Sequence, residues 1–365
     1  MSDEQRAEPG GRPADQPAMA SSDRPEDRPA EMSSEQPANP PAHSTDRSAE
    51  DFAEDRDQIL GEREELHERE ITREHEGPSP GAVRAAEALR DVAPEPGSAK
   101  PDPILVADDI TRHFGGLKAV NVKHLEVQRG TITALIGPNG AGKSTFFNLI
   151  SGFDKPNTGT WSFNDQPLRG KPAYRIARMG MVRTFQLTKA LMRLTTLDNV
   201  MLGATDQRGE SVFAAQVPFL WRRQEREIEA RADELLARFR LDHMRDEYAG
   251  TMSGGQRKLL EMARAMMVDP DMIMLDEPMA GVNPALTQSL LGHIQALRDE
   301  GKTIILVEHD MDVIMSISDW IICFAQGEVI AEGRPQDIST NPAVIEAYLG
   351  SRDRSVPNSG EREAS

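Results

Sequence analysis

The 365-residue chain has one cysteine, Cys323, so no internal disulfide can form and a disulfide-stapled secreted domain is excluded. Long apolar runs are missing as well. The best are Ile304-Ile305-Leu306-Val307 and Trp320-Ile321-Ile322-Cys323-Phe324, far short of the ~18 residues a bilayer-spanning helix needs. The first residues lack the basic and apolar regions of a signal peptide, being acidic and proline-rich. Basic residues are outnumbered, 42 against 60 acidic, and the net charge of −18 argues against broad nucleic-acid binding. No lipidation motif and no repeat is found. These absences lead us to expect a soluble protein of a reducing compartment.

The shortage of apolar residues is uneven. Residues 1–100 hold 12 of the 25 prolines and only eight Val, Ile, Leu or Phe, with 25 acidic and 12 basic side chains. Such a segment cannot bury enough apolar surface to offset its chain entropy, so a disordered acidic arm is expected over 1–100. Within it, 51–76 and the Ala-rich 82–92 read as transient, solvated helices.

The texture changes at Ile104. Ile104–Asp109 and Val122–Val127 read as strands, as does Thr131–Ile136, which ends at a Gly/Pro cluster. A helix is predicted from Gly142 onward, and amphipathic helices over 222–240 and 257–268. Met272–Leu275 and Thr303–Val307 are short continuous apolar runs, which suits strands buried on both faces of a parallel sheet. After Gly350 the chain is polar again, and a tail is expected over 351–365. Strands separated by helices indicate an α/β domain over about 104–350.

Between a predicted strand and a predicted helix lies Gly137-Pro138-Asn139-Gly140-Ala141-Gly142-Lys143-Ser144, which matches the P-loop pattern. Its glycines let the backbone wrap close to phosphates and aim N–H groups at them. The following helix start favours negative charge. Lys143 is placed to reach the β- and γ-phosphates of ATP, Ser144 to ligate Mg²⁺, and Thr145 to extend the donor set. Met272-Ile273-Met274-Leu275-Asp276-Glu277 is a buried-strand run ending in two carboxylates. Alone that is commonplace; beside a P-loop, Asp276 is expected on the Mg²⁺ side and Glu277 as general base. Ser253-Gly254-Gly255-Gln256 opens the second amphipathic helix and offers another anion-binding end, which must face a different nucleotide. Glu308-His309-Asp310 follows a strand, where His309 could reach a γ-phosphate, although a lone His is more often a turn residue.

These segments in order, with Arg183-Thr184-Phe185-Gln186 between the P-loop and Ser253, resemble an ATP-binding-cassette ATPase over about 104–350. The resemblance implies a P-loop NTPase (RecA-like) core, an antiparallel β subdomain and an inserted α-helical subdomain over 187–253. It implies adenine stacking on Phe114, Gln186 at Mg²⁺ or water, and Ser253 and Gly255 closing over a γ-phosphate held by a second cassette. Asn283 stands where many cassettes have Asp, and Met252 where most have Leu, the latter nearly volume-conserving. Phe114-Gly115-Gly116-Leu117-Lys118-Ala119-Val120, Gly281-Val282-Asn283-Pro284 and Glu346-Ala347-Tyr348-Leu349-Gly350 look like the cassettes of hydrophobic or branched-chain amino acid importers; urea and lipopolysaccharide-export cassettes are close relatives. Such a protein is expected at the cytoplasmic face of the membrane. Its partners would be permease subunits, a second cassette (its own copy or a paralogue) and, indirectly, a solute-binding protein. A soluble ATPase acting on ribosomes or DNA would typically carry two cassettes or long coiled coils, which are not found here.

Overall fold

Short aliphatic runs bounded by glycine and polar turns build the centre of the molecule. A computed structural model describes residues 77–184, 191–205 and 218–353. Helix α1 (Pro80–Ala88) precedes two long strands, β1 (Pro103–Phe114) and β2 (Leu117–Gln128). Strand β3 (Ile132–Ile136) leads through the glycine loop into α2 (Lys143–Ile150). Next come β4 (Thr158–Phe163), β5 (Gln166–Pro167), α3 (Ala173–Arg178) and β6 (Met181–Arg183). Helices α4 (Thr196–Met201), α5 (Pro218–Arg238) and α6 (Gly254–Met266) intervene before β7 (Met272–Asp276). The chain ends through α7 (Pro284–Asp299), β8 (Thr303–Val307), α8 (Met311–Ile317), β9 (Trp320–Ala325), β10 (Glu328–Gly333), α9 (Pro335–Ser339) and α10 (Pro342–Asp353).

Two sheets result. One is antiparallel, in the order β2-β1-β4-β5; the other runs β10-β9-β3-β8-β7-β6. In the second, β9, β3, β8, β7 and β6 are parallel and β10 closes one edge antiparallel to β9. Every residue of β3, β7 and β8 is buried, which is why these runs show no polar alternation. Their side chains still alternate in destination. Ile273, Leu275, Ile304 and Leu306 enter the core shared with α4–α7. Met272, Met274, Ile305 and Val307 face Phe146 and Phe147 of α2 and, beyond them, Leu105, Trp161 and Phe163 of the antiparallel sheet. Helix α2 thus fills the space between the sheets, and the loop before it is pinned where both meet.

The strand predicted over Ile104–Asp109 runs on to Phe114. Asp109 takes a left-handed backbone (φ 49°), and the register slips again between Arg112 and His113, so the strand continues through irregularities that break the pattern.

The arm expected over 1–100 is corrected over its last quarter. Ala85 and Leu89, one helical turn apart, and Val92 are buried. Ser79 Oγ donates to Asp299 Oδ1 (2.8 Å), and Arg84 donates to the Asp299 carbonyl (2.6 Å), fixing α1 on α7. Downstream, the Lys100 ammonium meets Glu332 (3.2 Å), with both side chains 1% exposed. Glu332 also accepts from Ser98 N–H (2.7 Å) and Trp320 Nε1–H (3.0 Å). The helix expected over 82–92 is therefore a docked strap and not a solvated one. Few apolar residues suffice because polar partners on α7, β9 and β10 satisfy the rest. The expected helix at 51–76 and the polar tail beyond 353 lie outside the described residues.

Candidate functional site

The carboxyl ends of β3, β8 and β7 lie side by side, and the connections that leave β3 and its neighbour β8 run in opposite directions across the sheet. In an open α/β sheet that is where a ligand crevice forms. The glycine loop leaves β3 there. Gly137 has φ 139°, and a Cβ on it would strike the Phe324 carbonyl; Gly142, the left-handed N-cap of α2 (φ 102°), would strike the Ala119 carbonyl. Both positions require glycine. Asn139, Gly140 and Ser144 are exposed, Lys143 and Thr145 are half-buried, and Ala141 is buried. Lys143 Nζ donates to the carbonyls of Gly137 (2.5 Å) and Pro138 (3.1 Å), so the ammonium sits inside the loop. Burial pushes its pKa below the ordinary lysine value, partly offset by the Glu277 carboxylate.

Asp276 ends β7 as a buried carboxylate. Its Oδ2 accepts from Arg183 Nη2 at 2.6 Å, both side chains being less than a tenth exposed. Arg183 also donates to Asn148 Oδ1 (2.6 Å) on α2, and its guanidinium lies 5.6 Å from the Phe147 and Phe153 ring centroids. Arg183 thus links the P-loop helix to the Asp276 strand. Its role was missed in the sequence; the signal was a lone charge ending an apolar strand.

Glu277 takes the left-handed backbone (φ 47°), strained for a residue with a long side chain. Two contacts clamp the turn: its N–H donates to the Val307 carbonyl (2.9 Å), and its carbonyl accepts from Lys258 Nζ (2.9 Å). Burial pushes Lys258 below its ordinary pKa, opposed by Glu308, Glu261 and Glu277. Lys258, one turn into α6, ties that helix to the Glu277 turn.

Glu308 is buried and accepts from Met279 N–H (2.8 Å) and His309 N–H (3.3 Å); burial raises its pKa while those donors pull it back. His309 beside it has a side chain 69% exposed. Ser253 caps α6 in a reciprocal box, its Oγ accepting from Gln256 N–H (3.3 Å) and the Gln256 amide oxygen from Ser253 N–H (2.9 Å). Ser253 and Gly254 are exposed. Gly255 is buried against Leu286 and Val282 of its own chain, with no room for a Cβ. Asn283 is the N-cap of α7, its Oδ1 accepting from Leu286 N–H (2.9 Å), a task Asn and Asp perform about equally. Phe114 ends β1 half-exposed, with the Arg112 guanidinium 4.5 Å from its ring centroid. The structure therefore brings Lys143, Asp276, Glu277 and the Glu308-His309 turn to one sheet edge, and puts Phe114 in the other sheet and Ser253 on the helical insertion. Gln186 lies outside the described residues.

Among the described residues no three His, Cys, Asp or Glu side chains come together to hold a metal ion. The oxygens on offer, Asp276 Oδ1 and the exposed Ser144 hydroxyl, are hard donors. They fit a magnesium ion whose remaining positions are filled by phosphate and water.

Residues 120–280 match a family model described as ABC transporter, and 328–354 match one described as branched-chain amino acid ATP-binding cassette transporter. The chain is 42% identical over 250 residues to the high-affinity branched-chain amino acid transport ATP-binding protein LivG of Escherichia coli, covering 68% of this chain and 98% of that protein. It is 41% identical over 251 residues to the corresponding BraF protein of Pseudomonas aeruginosa, with the same coverage. Among solved structures it resembles a nucleotide-free ATP-binding cassette from an ABC transporter, with TM-score 0.60 and 36% identity over 67% of this chain and 98% of the other.

Proposed function

Since the chain belongs to the ATP-binding-cassette family of transporter ATPases, and so binds and hydrolyses ATP, we propose that it powers uptake of branched-chain or similar hydrophobic amino acids. The carrying observation is that the resemblance extends through residues 328–354, beyond the ATPase core, to a region matched by the branched-chain model. No described helix is long and apolar enough to cross a membrane. We assign the translocation path to separate permease subunits and place this chain against them at the cytoplasmic face, with a solute-binding protein acting upstream.

In this reading Phe114 stacks on adenine, and the 137–145 loop with its Lys143 ammonium cradles the phosphates. Ser144, Asp276 and Gln186 would hold magnesium, which supplies charge neutralisation at the β- and γ-oxygens. Glu277 accepts a proton from the water that attacks the γ-phosphorus, as the bond to the bridging oxygen breaks and ADP leaves. His309 donates to the γ-phosphate and holds it in line. Ser253 and Gly254, exposed at the start of α6, complete the site of a second cassette. The buried Gly255 serves that approach indirectly, by letting α6 lie close on α7, and Gln256 by capping Ser253.

Proteoliposomes containing the partner permeases test the substrate: labelled leucine should enter only with ATP, and unlabelled isoleucine and valine should compete while urea does not. Uptake of urea in place of leucine would overturn that assignment. Glu277→Gln should bind ATP normally and hydrolyse it at least a hundredfold more slowly. Wild-type single-turnover rates in that variant would remove Glu277 from the mechanism.

A further inference from the structure

Strand β3 stops at Ile136, and the next N–H, that of Gly137, turns out of the ladder to donate to the Tyr348 hydroxyl at 2.9 Å. The carbonyl of the same glycine accepts from Lys143 Nζ. A side chain on Gly137 is blocked by the Phe324 carbonyl. The entry to the phosphate loop is therefore held at two points: by Lys143 of the loop itself and by a residue 211 positions along the chain. Tyr348 stands on α10, which Val344 anchors in the core, and its ring packs against that core with Ile330. Burial raises the phenol above its ordinary pKa of 10, so the hydroxyl stays neutral.

Resting on the reading of the 137–145 loop as the ATP site, we infer that Tyr348 is a positioning residue for that site. Its hydroxyl fixes the peptide that opens the phosphate loop, so nucleotide affinity depends on α10 being docked. Without the hydroxyl, the Gly137 N–H loses its acceptor at the edge of the core, and the peptide is free to turn toward water. A loop whose first peptide can turn must be ordered by the phosphates at the expense of affinity. In that reading the rate of the chemical step is set by Glu277 and the groups beside it, whereas the Tyr348 hydroxyl acts on the Gly137 peptide. The role therefore separates binding from turnover, whereas a mere anchor for α10 would alter neither selectively.

Tyr348→Phe in the full chain keeps the ring and removes the acceptor. We expect the KM for ATP to rise about five- to tenfold with kcat within twofold, and the calorimetric Kd to rise in parallel. Hydrogen exchange gives a reading independent of activity: the Gly137 amide should exchange at least about tenfold faster while the Ile304–Val307 amides keep their rates. Unchanged KM with unchanged Gly137 exchange would overturn the inference, as would a fall in kcat at constant KM, or faster exchange spread evenly over the core. Lys143→Ala measured alongside separates the two claims. If it binds ATP like wild type, the loop is not the phosphate site; if it loses binding while Tyr348→Phe does not, only the role of Tyr348 falls.

Discussion

Two of the buried ion pairs among the described residues are built in opposite ways. At the strap, Glu332 has both oxygens engaged: Oε1 by Ser98 N–H, Oε2 by Lys100 and by Trp320 Nε1–H. At the sheet edge, Arg183 engages Asp276 Oδ2 alone, and Oδ1 carries no hydrogen bond among the described residues. A buried carboxylate with both oxygens engaged is a fastener, with no free oxygen for a ligand. One held by a single oxygen is oriented but retains an acceptor, which is what a metal-side carboxylate needs. Burial and charge alone do not tell the two apart; the count of donors does.

The widest separation between them should appear in turnover. Asp276→Asn is expected to lower steady-state ATP hydrolysis about a hundredfold or more, and Glu332→Gln to leave it within twofold per folded molecule. Equal losses in the two variants would show that both pairs are merely structural. Stability should rank the other way. Lys100→Met leaves Glu332 buried without its counter-charge, a loss of about 3–5 kcal/mol, or roughly 10 °C in melting temperature for a fold of this size. Thermal melts of that variant, and of a chain starting at residue 103 against one starting at residue 77, check this. A strap that can be removed without lowering the melting temperature would not be a fastener.

The smallest effect concerns a third carboxylate. Asp319 accepts from Arg298 Nη1 and from Ile132 N–H, both at 2.8 Å, yet burial pushes its pKa up to about 6. A carboxyl group raised in the folded state contributes stability that is fully present below its unfolded value of 3.8 and lost as pH rises through about 6. Relative to Asp319→Asn, wild type should therefore be less favoured at pH 7.5 than at pH 5 in urea unfolding. An equal difference at the two pH values would mean that two donors suffice to keep such a group charged.

The glycine loop and the strands beside it were largely legible in the sequence, because the turns at 137 and 142 demand glycine and fully buried strands show as continuous apolar runs. The strap was not. Its few apolar residues, Ala85, Leu89 and Val92, are diluted among a hundred mostly polar ones, and its partners, Asp299 and Glu332, lie more than 200 residues away. Arg183 and Tyr348 were hidden for the same reason: each is defined by a partner distant in sequence, not by its neighbours. Asn283 was readable after all, since Asn before Pro is the ordinary start of a helix, but the departure from Asp drew attention away from capping.

The left-handed backbone at Glu277 sets what evolution would do with this position if chemistry were removed. Glycine and asparagine adopt that conformation more easily than glutamate. A lineage selected only to keep the fold, as after loss of its permeases, should drift toward those residues at 277 while the surrounding β7 apolar residues persist. On the role proposed for it, glutamate there is a mark of use, and a library of position-277 variants sorted only for folding should discard it.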